Sequence, residues 1–402
     1  MHSSPFRALG HYRVLPQLTG WKTLVIAFAA RAPYAMLPLG VMTAVSASTG
    51  SVAQGGAATA TTSIATAIAG PLIGKWADRK GQFLPLRLLT PINAVALLLL
   101  FLAVQTATAG LPLFLACMAV GFTSLPIGSF TRSRWIHQTN TPQELSAALS
   151  YESMADELVF VLGPALVGIA ATAAFESAPL FLAFLLVATA GIAFAILAPR
   201  TKPTAQAAAK QGPGVGRVIL AVTPAIIAMT GIGMLFGTTQ AATTVRSELL
   251  GYQGIAGLVY AAMGVGSAVM AILTVAIPER INLPTRLLVG GLGIATSMSL
   301  VALASGLVST AFLLTLAGFF IGPTMVTAFT LAESLAPRGG IAIAMTSMQS
   351  SVVIGVSIGS SLGGIIAQIF HDKPTFLASA GAGILVALVG FILNIRQLSK
   401  RG

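Results

Sequence analysis

Long apolar stretches alternate with short polar connections along the whole chain. A helix that crosses the hydrocarbon core of a bilayer, about 30 Å thick, needs about 20 mostly apolar residues, and twelve stretches meet that length. We expect them at 21–46, 52–73, 84–107, 112–131, 146–173, 179–198, 218–240, 253–276, 285–305, 310–333, 340–369 and 375–395. The connections leave no room for a folded soluble domain. The pattern predicts an all-α membrane protein with twelve transmembrane helices.

Composition supports this class and excludes others. Of the 402 residues, 55% are hydrophobic and 8% are charged, whereas a soluble domain has about 25% charged residues. The net charge is +12, but the basic residues stand singly between apolar runs, which indicates membrane orientation rather than nucleic-acid binding. One cysteine, four dispersed histidines and no Walker or Ser-His-Asp arrangement predict no metal site, no cofactor, no direct use of ATP and no enzyme activity.

The distribution of Lys and Arg predicts the orientation. With the amino terminus inside, the inner segments hold 19 of the 22 Lys and Arg residues, and only Arg246 and Lys373 fall outside. Positively charged loops stay in the cytoplasm. The amino-terminal segment also lacks the features of a removable signal peptide. We therefore expect a multi-pass protein of the cell membrane, inner or plasma, with both termini cytoplasmic.

The midpoint of the chain suggests a duplication. The longest connection, 199–217, is rich in Pro, Ala, Gln and basic residues, as is typical of a flexible linker. Gly121-Phe122, followed by Pro126, reappears 197 residues later as Gly318-Phe319, followed by Pro323. We expect two pseudo-symmetric six-helix bundles, 1–198 and 218–402, joined by a cytoplasmic linker.

The run GKWADRKGQ at 74–82 lies between the second and third spans. It resembles the loop signature of the major facilitator superfamily, G-x-x-x-D-R/K-x-G-R/K-R/K, although Gln82 and Phe83 replace the terminal basic pair. The resemblance implies the fold of that superfamily and a gate that holds the outward-facing state, with Asp78 accepting hydrogen bonds at a neighbouring helix start and Arg79 bridging to a carboxylate. The alternative is a basic turn that only fixes topology. The matching positions are Gly74, Asp78, Arg79 and Gly81.

The fifth span combines carboxylates with a Gly-Pro pair. Glu152 and Asp156 share one helical face, while Glu157 points about 100° away. Gly163-Pro164 resembles the fifth-helix motif g-x-x-x-G-P-x-x-G-G of superfamily exporters that work as antiporters, so both residues are expected to act in gating. The alternative is an ordinary kinked, closely packed helix.

Arg31 in the first span is predicted to lie about 15 Å deep, at the depth of Asp156 and Glu157. Charges inside a membrane almost always find partners or water, so a pair between Arg31 and a carboxylate is one expectation. The alternative is that Arg31 snorkels or only satisfies backbone carbonyls at the proline kink. Burial favours a neutral carboxyl and an approaching arginine favours the charged form. One of the two acids is therefore expected to carry a coupling proton, with Arg31 setting its affinity. Spacing does not choose between them; Glu157 ranks slightly ahead because the exporters resembled often carry an acid near that depth.

The fourth span lacks an arginine that is common in the superfamily, and the eleventh span carries a stripe of small residues. Superfamily members commonly have an arginine four residues before a fourth-span glycine, where this chain has Cys117, so Arg31 is expected to replace it. Gly355, Gly359 and Gly363 form a stripe of small residues that allows close helix approach, and we expect it to pack against the second span.

The second half lacks deep charges at the corresponding positions. Methionine and aromatic residues suit an adaptable apolar binding wall, although such residues are also common in ordinary packing. The candidate substrate-binding residues are Met229, Phe236, Gln240, Phe319, Met348 and Gln349.

The leading hypothesis is a secondary active transporter, acting as a monomer in the lipid bilayer, that exports a small organic molecule in exchange for protons by alternating access. The second hypothesis is a proton symporter or facilitator for sugars or other metabolites. A non-transporting receptor or scaffold is disfavoured by the short loops.

Overall fold

The computed structural model describes residues 10–108, 110–198, 213–252, 255–278 and 280–398. In these residues no strand occurs, and twelve helices are long and apolar enough to cross a membrane, which confirms the predicted fold class. We label them α1 to α12. Their bounds are Trp21–Thr49, Val52–Lys80, Phe83–Gln105, Leu111–Gln138, Pro142–Ala173, Ala178–Ile196, Val215–Leu249, Ala256–Ala276, Leu283–Leu303, Leu307–Leu335, Ile341–Phe370 and Asp372–Leu398.

Both ends of the described chain lie at one end of the bundle. We call this end, where α1 begins and α12 ends, the terminal face. The opposite end, which holds the α1–α2 turn at Gly50 and the α11–α12 turn at His371, is the distal face. Of the predicted linker, 199–212 lies outside the described residues, and 215–217 already belong to α7.

α7 is longer than the sequence predicts. The predicted span ends at 240, but the helix continues to Leu249. Its last turns are polar, yet they stay helical because their polar groups find partners: Thr243 donates to the Thr239 carbonyl, and Arg246 pairs with Asp372 at 2.6 Å. Hydropathy marks the part of a helix in hydrocarbon and not where the helix stops.

α4 consists of two helical segments, Leu111–Thr123 and Ile127–Gln138. The break falls at Pro126, which has no backbone N–H and disfavours a helical conformation for the residue before it. The prediction that Arg132 and Arg134 lie in a cytoplasmic loop is wrong, because both are buried in the second segment.

Two helix pairs make the most extensive contacts between the first six helices and the last six. α2 packs against α11, and α5 packs against α8. Contact in the first pair is close because Gly70 and Gly74 of α2 have no side chain; a Cβ on either would overlap the hydroxyl of Ser350 or Thr346.

The glycine stripe of α11 faces a different helix from the one predicted. A Cβ on Gly355 or Gly359 would overlap the backbone of α7 at Thr230 or Met234. The stripe therefore packs within the last six helices, and α11 presents its hydroxyl-bearing face to α2. Small-residue spacing predicts close approach but does not identify the partner.

Candidate functional site

A buried network of charges lies between α1, α4 and α5. Arg31 forms ion pairs with Glu152 and with Asp156, the latter at 3.4 Å between Nη1 and Oδ1. The other oxygen of Asp156 accepts from Nη1 of Arg132 at 2.7 Å. All four side chains are buried. Two arginines therefore balance two carboxylates, the arrangement that makes buried charge tolerable.

Glu152 is fully engaged in this network. In addition to Arg31, it accepts a hydrogen bond from Thr131 Oγ1 at 2.6 Å and one from Trp135 Nε1 at 2.6 Å. Thr131 also accepts from Arg31 Nη2 at 2.8 Å. With every acceptor used, Glu152 fixes α5 against the second segment of α4.

No role was predicted for Arg132, Thr131 or Trp135, because this segment was expected to lie partly in a loop. The sequence does contain a pattern that predicts one helix face here. The spacing i, i+3, i+4, i+7 is followed by Gly128, Thr131, Arg132 and Trp135.

Glu157 lies one residue from Asp156 but in different surroundings. It is fully buried, and neither of its oxygens has a hydrogen-bond partner among the described residues. It faces α8, the helix that carries Ser267 and Tyr260. The expectation that Arg31 could serve either acid is therefore corrected: Arg31 contacts Asp156, while Glu157 turns to the other half because of the 100° step between adjacent residues.

A cavity of about 200 Å³ lies above the network, on its distal side, and continues into a vestibule of about 690 Å³ near the distal face. Phe236, Gln240, Tyr260 and Phe160 line the cavity, and the rings of Phe160 and Phe236 stack at 5.9 Å. Pro164 also lines it. The cavity wall thus combines aromatic, aliphatic, hydroxyl and amide groups.

The six predicted substrate residues separate into three groups. Phe236 and Gln240 line the cavity, and Gln349 lines a small pocket beneath it with Arg31 and Asp156. Met229 and Met348 are fully buried in helix packing. Phe319 is 40% exposed on the outer helix surface, so in this conformation it is wrong as a wall residue. Methionine and aromatic content alone does not show which helix face turns inward.

The halves meet closely at the terminal face. Asp78 at the end of α2 accepts hydrogen bonds from the backbone N–H groups of Ala342 and Ile343, at 2.9 and 3.1 Å. These are two of the unpaired donors at the start of α11, where a negative charge is also favoured by the helix dipole. Deeper in the interface, Ser129 Oγ donates to the Met345 carbonyl at 2.9 Å.

The neighbouring motif residues have distinct positions. Gly81 has φ +79°, a conformation that favours glycine and lets the chain turn from α2 into α3. Gln82 accepts from Arg134 Nε at 2.8 Å and donates to the Phe130 carbonyl, so it ties this turn to α4. Arg79 is exposed and forms no ion pair with any described residue, so the expected bridge to a carboxylate is absent in this conformation.

The Gly-Pro pair of α5 also has a packing role. A Cβ on Gly163 would lie 3.0 Å from the Cβ of Ala35, so the glycine allows α5 to approach α1 next to the cavity.

Among the described residues, no group of three or more His, Cys, Asp or Glu side chains could hold a metal ion.

Comparison with known proteins gives a family and several structural relatives. The family model described as Major Facilitator Superfamily matches residues 23–351. A bacterial homologue of the iron transporter ferroportin, in an outward-facing state, has a TM-score of 0.69 at 16% identity, covering 92% of this chain and 97% of that one.

The human organic anion transporter MFSD10 (TETRAN) gives a TM-score of 0.63 at 12% identity, covering 96% and 100% of the two chains. The fucose:proton symporter of E. coli gives 0.64 at 14%, covering 92% and 97%. At these identities the likeness establishes the fold. No curated protein matches the chain in sequence.

Proposed function

Because the chain belongs to the major facilitator superfamily, whose members move small molecules across membranes and typically act as monomers, we propose that it is a secondary active transporter that exports a small organic molecule in exchange for protons. The observation that carries the proposal is Glu157, a buried carboxyl without a hydrogen-bond partner, at the interface between the halves and beside the cavity.

Alternating access is the first part of the proposal. The terminal face is closed by Asp78 and Ser129, whereas the vestibule lies toward the distal face. The excess of Lys and Arg in the terminal-face segments supports a cytoplasmic position for that face. The conformation is then outward-facing, and residues 1–198 and 218–402 rock against each other around the cavity, joined by 199–217.

Proton coupling is the second part. Glu157 forms no ion pair with any described residue. An ionised carboxylate buried without a counter-charge is very costly, so in this proposal Glu157 holds a proton in this conformation. Asp156, in contrast, is paired with both Arg31 and Arg132. Glu157 is the coupling residue, and the Arg31 network positions the helix that carries it.

The cycle follows from the position of Glu157. Phe160 and Pro164, one and two turns farther along α5, line the cavity, as does Tyr260 of α8. A proton from the outer side reaches Glu157 by this short path. When the halves rock and the α5–α8 interface opens to the cytoplasm, water solvates the carboxyl and the proton leaves. Substrate then binds from that side.

The lining of the cavity supports an organic substrate with an apolar or aromatic body. Phe160 and Phe236 offer stacked rings, while Gln240 and Tyr260 offer hydrogen bonds that fix orientation. Glu248 at the vestibule places a negative charge on the route, which favours neutral or cationic molecules over anions.

The test is flux into proteoliposomes under an imposed pH gradient, with a panel of lipophilic cations, such as ethidium, together with neutral metabolites and sugars. Antiport predicts that substrate moves against the proton gradient and that substrate addition releases protons. Movement in the same direction as protons would instead establish symport. Absence of flux for the whole panel, together with a conformation that does not change with pH, would contradict the proposal.

A further inference from the structure

A second large hollow lies outside the transport path. It is a groove of about 820 Å³ on the outer surface of the second half, at the terminal face. Its walls come from α7, α9, α10 and α12, and they are almost entirely aliphatic. The lining residues include Leu220, Pro224, Leu331, Val389, Ile392 and Leu393.

The groove exists because small or rigid residues stand where long side chains would fill the space. Ala221 and Pro224 lie on the α7 wall, and Pro284 begins the α9 wall. Between Val389 and Arg396 the groove follows α12 for seven residues, about 10 Å of helix axis. That is about two thirds of one leaflet of a hydrocarbon core of about 30 Å.

Positive charge is confined to one end of the groove. Arg396 lines its mouth in the last turn of α12. Arg217 lies on α7 one turn before Leu220 and Ala221, on the same helix face, and it is exposed. Neither arginine has an ion-pair partner among the described residues. The apolar wall thus begins at the helix ends that carry Arg217 and Arg396, two cations without an ion-pair partner among the described residues.

We propose that this groove is a binding site for an anionic phospholipid. The acyl chain lies against α7 and α12, and the phosphate accepts hydrogen bonds from Arg217 and Arg396, the charge-assisted contacts that guanidinium groups make with phosphate. Basic pockets at helix ends recognise anionic headgroups in this way. The site touches neither the cavity nor Glu157, so it is independent of the proposed transport cycle.

The experiment uses photoactivatable phosphatidylglycerol, with the reactive group in its acyl chain, added to phosphatidylcholine nanodiscs that contain the full chain. Cross-linked peptides are mapped by mass spectrometry. Labelling is expected on the peptides that contain 220–227 and 389–397. Each Arg→Gln change, R217Q or R396Q, should raise the half-saturating lipid fraction about fivefold, and the double variant about 30-fold.

A third test variant, Ala221→Phe, keeps both charges but fills the groove, and it should abolish labelling. Two control variants change exposed positions of the first half. Arg87→Gln removes a charge and Val95→Phe adds an aromatic ring, and both should leave labelling intact. Equal labelling by photoactivatable phosphatidylcholine, or labelling that survives both the double variant and Ala221→Phe, would overturn the proposal.

Discussion

The buried ion pairs of the two halves lie at different distances from the distal face. In the first half, Arg31, Asp156 and Arg132 meet beneath the cavity and are almost completely buried. In the second half, Arg246 pairs with Asp372 near the distal face, where the carboxylate side chain is 15% exposed. Arg246 also donates to the Val301 carbonyl and to Thr310. The first network supports the site, whereas the second ties helix ends together.

The two halves therefore contribute different groups to the region of the cavity. The first half holds the buried charges beneath it, and the second half contributes Phe236, Gln240 and Tyr260 to its wall. Glu157 lies where the two meet, and Arg132 stacks on Phe329 of α10 across the same interface, 3.5 Å from the ring centre. The rocking motion that we propose would therefore expose and cover Glu157 directly.

The largest expected effect on stability breaks the first network. Arg31→Met leaves Glu152 and Asp156 without their shared cation, so we expect a loss of about 3–5 kcal/mol in the free energy of unfolding. Arg246→Met should cost less than half as much, because Asp372 reaches water. Unfolding by denaturant in mixed micelles measures both values. Equal losses would contradict the distinction between the two pairs.

A smaller effect is expected at the terminal face. Asp78→Asn removes the negative charge and replaces one of the two acceptor oxygens by an NH2 group, so one of the two hydrogen bonds to α11 is lost. This change should weaken closure about tenfold. Spin labels at Arg87→Cys and Arg280→Cys, in a Cys117→Ser background, report the distance between the halves, and the longer, inward-facing distance should gain population. Glu144→Gln removes a half-buried charge whose hydrogen bond to the Asn140 N–H lies within the first half, and it serves as control. An unchanged distance distribution in Asp78→Asn would contradict the role of Asp78 in holding the terminal face closed.

The smallest effect concerns a neutral hydrogen bond in the same interface. Ser129→Ala removes the donor to the Met345 carbonyl, a contact worth about 1 kcal/mol. The same labels should show a shift of about fivefold toward the inward-facing distance, in the same direction as Asp78→Asn but weaker. A shift larger than that of Asp78→Asn would mean that the interface closes mainly through its interior.

Much of the fold could be predicted because apolar length is a strong signal. Two local contacts could also be predicted: Asp78 accepts hydrogen bonds at a helix start, and Arg31 lies at the depth of Asp156. What could not be predicted depends on which helix faces which. Arg132 was assigned to a loop because a charge normally marks the end of a membrane helix, and the sequence does not show that Asp156 compensates it. The predictions for Phe319 and for the α11 glycine stripe were wrong for a similar reason. Composition shows neither the direction in which a helix face points nor the helix that packs against it.

The central claim is that Glu157, and not Asp156, carries a proton in this conformation. The most direct measurement is infrared difference spectroscopy of the purified protein through a pH titration, which detects the carbonyl stretch of a protonated carboxyl group. The account predicts a titrating signal in the native protein that persists in Asp156→Asn and disappears in Glu157→Gln. A signal that survives Glu157→Gln and disappears only in Asp156→Asn would contradict it.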